Sequence, residues 1–294
     1  MRSEQLEGVV SMLGSMESAG AMTVDDWRQG YEAMGAMLPA REGVAVEPVD
    51  ADGVAAEWIG EGDGPIVVYV HGGGYCIGSL ATHRPMLTHL AAETGGRVLS
   101  VDYRLAPEHP YPAALDDALT AYRFAAHDHP PQRMVVAGDS AGGGLTVATL
   151  AALRDAGDPL PAAGVCLSPW ADLTQSGETI ASKADVDPMV HAEDLDRWAA
   201  AYAGEAAADP GASPLFGDLT GLPPLLIEVG TAETLLDDAR RLAARAREAG
   251  VDVTLFEGED LIHVWHFFAG AVPEADEGVR RVAAFIRARA GAGG

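Results

Sequence analysis

Gly138-Asp139-Ser140-Ala141-Gly142 follows the apolar run Arg133-Met134-Val135-Val136-Ala137 and opens a stretch of small residues that continues to Ala156. The run is short, partly β-branched and bounded by Pro130-Pro131 on one side and Gly138 on the other, the pattern of a buried strand. Leu145, Ala148, Thr149, Ala152 and Leu153 then recur at helical spacing until Gly157 and Pro159 end the segment. Ser140 is therefore expected on a tight strand-to-helix turn, with Gly138 and Gly142 letting the two elements approach. The amino terminus of the helix would lie beside the hydroxyl, where free N–H groups favour developing negative charge. A bare G-x-S-x-G also occurs in ordinary glycine-rich turns, so further signals are needed.

Upstream, Pro65-Ile66-Val67-Val68-Tyr69-Val70 reads as a second buried strand and runs into His71-Gly72-Gly73-Gly74-Tyr75. A glycine run after such a strand can turn backbone N–H groups toward a substrate oxygen. A phosphate cradle would call for a lysine after the glycines or a G-x-G-x-x-G entering a helix, and neither is present. Downstream, Leu225-Leu226-Ile227-Glu228-Val229-Gly230 is a further buried-strand pattern, followed by Glu233 and then Asp237 and Asp238. Val251 to Phe256 alternates like a strand, and His263 lies in the loop beyond it. Serine, acid and histidine thus occur in the order expected when all three sit at the carboxyl ends of parallel strands.

Tyr103-Arg104-Leu105-Ala106-Pro107-Glu108, Ser168-Pro169-Trp170-Ala171-Asp172 and Ile262-His263-Val264 complete the ordered set. With these motifs, from about Pro65 to about Phe268, the chain resembles the hormone-sensitive-lipase-like esterase branch of the α/β hydrolases. The resemblance implies an α/β-hydrolase fold with a mostly parallel eight-stranded sheet and a helical cap. It implies Ser140 as nucleophile, His263 as general base and acid, and the N–H groups of Gly73, Gly74 and Ala141 as an oxyanion hole. The branch's usual D-P-L-x-D is represented by Glu233-Thr234-Leu235-Leu236-Asp237, so the place of the orienting acid falls on Glu233. A carboxylate in that role has only to accept from the imidazole N–H, which glutamate can do. Asp237 is then expected to cap the start of the next helix.

The implied activity is serine-dependent hydrolysis of small to medium-chain, uncharged carboxylic esters through an acyl-enzyme, without cofactor or metal. Lactones are the alternative substrate, and a binding-only, receptor-like member is a third reading, disfavoured because His263 is retained. Homodimerisation through the last strand and helix is a family-level expectation.

Other strands read at Val44 to Val49, Val54 to Ile59, Arg97 to Asp102 and Gly164 to Leu167; the first two are close enough for an antiparallel hairpin. Helices read at His83 to Glu93, Pro112 to His127, Glu193 to Tyr202, Leu236 to Ala249 and Glu274 to Ala290. Strands alternating with helices imply a sheet covered on both faces. Two segments break the alternation. Residues 1–40 carry Leu6, Val9, Val10, Leu13 and Met16, then Trp27, Tyr31, Met34 and Met37, at helical spacing, with Gly14 and Gly20 between. Residues 173–215 carry a polar stretch and the Glu193 helix. By the resemblance, 1–40 and 173–215 form the cap, while 41–172 and 216–294 form the catalytic core.

Of 294 residues 48% are hydrophobic, enough for a large core. Nineteen basic against 44 acidic residues give a net charge of −25, which argues against nucleic acid and anionic membrane surfaces as partners. The first 20 residues lack the long apolar core of a secretory signal and no run reaches membrane-spanning length, so a cytoplasmic location without stable membrane association is expected. Cys76 and Cys166 are expected to be free thiols. His83, His89, His109, His127, His129 and His191 suit surface or packing roles better than ligation. His266 is set aside in favour of His263, which fits the motif better.

Overall fold

The computed structural model describes residues 2–15 and 22–291; Met16 and Gly20 lie outside them. Helices α1 (Glu4–Ser15) and α2 (Val24–Ala36) precede the hairpin β1 (Val46–Ala51) and β2 (Val54–Ile59). Next come β3 (Ile66–Val70), α3 (Leu80–Thr94), β4 (Arg97–Val101), α4 (Ala113–Asp128), β5 (Met134–Asp139), α5 (Ala141–Ala156) and β6 (Ala163–Leu167). The short α6 (Thr179–Ser182) and α7 (Ala192–Tyr202) follow, then β7 (Leu225–Gly230), α8 (Leu236–Glu248), β8 (Val253–Gly258) and α9 (Pro273–Ala290).

The strands join one sheet in the order β1-β2-β4-β3-β5-β6-β7-β8. Only β1 with β2 and β2 with β4 are antiparallel; the remaining pairs are parallel. Crossover helices cover both faces, which is why every residue of β3, β5, β6 and β7 is buried. The pleat divides each strand between two cores: Val68 and Val70 pack with α4, α5 and α8, while Val67 and Tyr69 pack with α3 and α9.

Element boundaries moved where local chemistry outweighed hydrophobic pattern. Asp52 and Gly53, both at positive φ, make a two-residue hairpin loop that pairs Ala51 with Val54 and draws β1 two residues past the expected Val44 to Val49. Ser79 caps α3 in a reciprocal box with Thr82, starting the helix before His83. Val251 donates to Ala246 O and belongs to the exit from α8, so β8 begins at Val253. The one-turn α6 had no periodic signature long enough to read.

The two segments outside the alternation lie on the rest of the fold through specific contacts. Leu6 and Leu13 of α1 pack with Ile262, Val264, Trp265 and Phe267, the chain around His263. From α2, Arg28 donates to the carbonyls of Cys76 and Ala106 and to both carboxylate oxygens of Glu108. Trp27 meets Trp198 of α7 edge to face at 5.9 Å. Among the described residues, no helix is long and apolar enough to cross a membrane.

Candidate active site

Ser140 sits between β5 and α5 with φ 52° and ψ −120°, a conformation that non-glycine residues rarely adopt. Its backbone is clamped: the N–H donates to Leu167 O at 2.8 Å, and the carbonyl accepts from Trp170 N at 2.8 Å and Gly144 N at 3.2 Å. A Cβ on Gly142 would collide with the carbonyls of Val70 and His71, so only glycine lets α5 start this close to β3.

The glycine run after β3 folds back on itself. Gly73 and Gly74 have φ of +115° and +58°, and Gly73 O accepts from the N–H groups of Cys76 and Ile77. Among the described residues, the N–H groups of Gly73, Gly74 and Ala141 have no protein acceptor, whereas Gly72 N donates to Asp139 Oδ1 at 3.0 Å. Asp139 also accepts from Tyr69 Oη at 2.7 Å and faces His83 Nε2 at 3.3 Å. Burial pushes its carboxyl up, but His83 and Tyr69 more than offset this and hold it below the usual carboxylate range. Behind it, His71 stacks on Tyr103 at 4.3 Å, with Nδ1 2.7 Å from Gly72 O; as a carbonyl only accepts, that nitrogen carries the hydrogen. Burial draws the His71 pKa down to about 3, so the ring is neutral.

Glu233 and His263, from the loops after β7 and β8, meet with Oε1 and Nδ1 3.6 Å apart; the carboxylate is fully buried and the His263 side chain 6% exposed. The other carboxylate oxygen accepts from Ser168 Oγ at 2.9 Å and Gly230 N at 3.2 Å. Burial raises the Glu233 pKa above its ordinary value, against the pull of the facing His263 ring and the hydrogen bond from Ser168. Burial lowers that of His263, but Glu233, with help from Asp187 and Asp139, carries it above the ordinary imidazole value.

Asp237 points elsewhere. Its carboxylate accepts from Glu178 N at 3.1 Å and pairs with Arg241 at 3.4 Å, so it joins the 173–215 segment to α8. His266 is also separate: Nε2 donates to Glu228 Oε2 at 3.0 Å, and Arg281 of α9 holds the same carboxylate through both its oxygens. Cys76 and Cys166 are free and buried, and burial pushes both thiols up to about 12. Among the described residues, no group of three His, Cys, Asp or Glu side chains is placed to hold a metal ion.

The family model for the alpha/beta hydrolase fold matches residues 67–267. An acetyl-hydrolase of Streptomyces hygroscopicus is 47% identical over 242 residues, covering 81% of each chain. The crystal structure of an esterase from the bacterial hormone-sensitive lipase family superposes with a TM-score of 0.95 at 47% identity, over 99% of this chain and 100% of that one. The chain belongs to the hormone-sensitive-lipase-like esterase branch of the alpha/beta hydrolase family. An esterase of Acinetobacter venetianus, 34% identical over 254 residues, covers 85% of this chain and 84% of its own. The crystal structure of EstE5, soaked with p-nitrophenyl butyrate, matches at 40% identity with a TM-score of 0.93, over 98% of this chain and 99% of that one.

Within this family frame, the site holds residues to which sequence reasoning gave no role. Ser168 stood in a motif but its contacts with both loops are three-dimensional. Asp187, buried in the 173–215 segment, accepts from Thr234 N at 2.8 Å and so grips the residue after Glu233. His83 sits one turn into α3 with only a packing signature in sequence, yet it faces the residue that precedes Ser140.

Proposed function

We propose that the protein hydrolyses small to medium, uncharged carboxylic esters through an acyl-enzyme on Ser140. The observation that carries this reading is the buried Glu233–His263 pair, because a carboxylate aimed at Nδ1 fixes the imidazole tautomer and favours its protonation during reaction. His263 Nε2 takes the Ser140 proton as Oγ attacks the acyl carbon, and the charge that forms on the carbonyl oxygen is received by the N–H groups of Gly73, Gly74 and Ala141. Collapse expels the alcohol, which receives the proton from His263. Water, deprotonated by the same ring, then attacks the acyl carbon, and the acid leaves as Oγ regains its proton. Glu233 stays ionised throughout.

Residues 1–40 and 173–215 serve as a cap in this reading. Trp27 and Trp198 meet beside Gly74, and Trp198 lies where any Cβ on Gly74 would go, so the acyl or alcohol group reaches the serine past an aromatic wall. An aromatic wall of this kind suits short chains, and the −25 charge disfavours anionic substrates.

The decisive experiment is a p-nitrophenyl ester series from acetate to palmitate with wild type and Ser140→Ala. The expected result is a rate maximum at short to medium chains and a fall on the order of 10⁴-fold or more in the variant. Turnover that survives Ser140→Ala would refute the mechanism.

A further inference from the structure

Ser140 and Ser168 leave the sheet side by side, because Asp139 at the end of β5 pairs in register with Leu167 at the end of β6. Both are non-glycine residues at positive φ, 52° and 46°. Ser140 holds its strained turn to display a hydroxyl; Ser168 is completely buried and displays nothing to solvent. Its N–H donates to Glu228 O at 2.6 Å, which ties it to β7, the strand that leads to Glu233.

The Ser168 side chain explains why a serine occupies a position that glycine would fill with less strain. A hydroxyl has one hydrogen and two acceptor lone pairs. The hydrogen goes to Glu233 Oε2 at 2.9 Å, and a lone pair accepts from Val264 N, the residue after His263, at 3.1 Å. Gly230 N occupies Oε2 as well, so Oε1 alone is left to face His263 Nδ1. One oxygen atom therefore spans the loop of the acid and the loop of the base. Thr231 Oγ1 also ties the two loops, accepting from Asp260 N at 2.9 Å, but at their outer end; the Ser168 hydroxyl bonds to the Glu233 carboxylate itself and to the residue after His263.

We propose that Ser168 is a positioning residue for the hydrolytic reaction: its hydroxyl sets which carboxylate oxygen of Glu233 faces the imidazole and holds the His263 loop at that distance. The proposal rests on the triad reading above and deepens it. It requires the Ser168 effect to pass through Glu233 and to appear in turnover rather than in substrate binding or folding.

The test compares Ser168→Gly, Glu233→Ala and the double variant on p-nitrophenyl butyrate. Ser168→Gly keeps a residue suited to φ 46° and loses only the hydroxyl. Its kcat is expected to fall by about tenfold or more, as for loss of a hydrogen bond to a charged group, with KM within about twofold and a melting temperature equal to or above wild type. In the Glu233→Ala background, Ser168→Gly is expected to cost little more, since the partner it positions is gone. Ser168→Ala replaces the glycine variant should that one fail to fold. Wild-type kcat in folded Ser168→Gly, a loss confined to KM, or an undiminished loss in the Glu233→Ala background overturns the proposal. Full activity of Glu233→Ala alone overturns the triad reading instead, so the two failures are distinct.

Discussion

Glu233 Oε1 stands 3.6 Å from His263 Nδ1, both sealed from water, and each alters the protonation of the other. In the proposed mechanism the base is a neutral His263 imidazole, so kcat/KM is expected to rise as pH climbs through the His263 titration. Glu233 holds that titration above the ordinary imidazole value against burial, which pulls it down. Glu233→Gln removes the charge and leaves burial unopposed. The pH-rate profile is expected to show a plateau lowered by about 10²–10⁴-fold and an acid limb displaced to lower pH. An acid limb that stays in place refutes the assignment. Asp237→Ala, which loses the contacts to Glu178 and Arg241, should leave both features near wild type.

The fold was legible because it depends on short-range pattern: apolar runs ending in glycine marked β3 and β5. The proposed acid and base were read from motif position, with Asp237, Asp238 and His266 close by as rivals, and the structure pairs Glu233 with His263 while it ties Asp237 and His266 to other partners. Boundaries were misplaced where a capping or turn hydrogen bond, as at Ser79 and Asp52-Gly53, outweighs apolar periodicity. The supporting shell was not legible. Ser168, Asp187 and His83 act through contacts with residues far away in sequence, and nothing in their own neighbourhoods encodes which partner the folded chain will bring.

Gly74 and Trp198 form a second testable pair. A Cβ on Gly74 would lie 2.7 Å from Trp198 Cδ1, at a backbone φ of +58°. Gly74→Ala is expected to lower kcat by about tenfold or more through displacement of a backbone donor. Trp198→Ala should recover part of that loss, giving a coupling of about 0.5–3 kcal/mol in a double-mutant cycle. Strict additivity would mean that the indole does not set the loop.

Glu228, fully buried, accepts from both His266 and Arg281. Burial pushes its carboxyl up, yet these two partners hold it below the ordinary range. Glu228→Ala leaves a buried ring and a guanidinium without their acceptor and is expected to cost roughly 2–4 kcal/mol in chemical unfolding. Below the unfolding transition, turnover should stay within severalfold of wild type, separating this histidine–glutamate pair from the one that includes His263.

Asp238 is buried beside Asp172, and burial together with that neighbouring charge raises its pKa to about 7, against the pull of Arg241. The folded protein thus holds this proton more tightly than the unfolded chain, whose carboxyl titrates near 3.8. Its contribution to stability is full below that value and is lost as pH rises toward 7. Melting temperatures of Asp238→Asn relative to wild type should therefore shift in favour of the variant between pH 4 and about 7. A constant difference across that range would show that Asp238 ionises freely in the fold.

Asp139 joins the Ser140 turn to the glycine loop, to β3 through Tyr69 and to α3 through His83, so the attacking atom and the oxyanion donors of the proposed mechanism belong to one stiff body. Such a body has little room to adapt to a new acyl group without losing alignment. Adaptation is left to the far wall, where α2 and α7 meet through Trp27 and Trp198. In a lineage or a library selected for new substrates, accepted changes should therefore accumulate at that aromatic seam, while the residue preceding the nucleophile stays fixed.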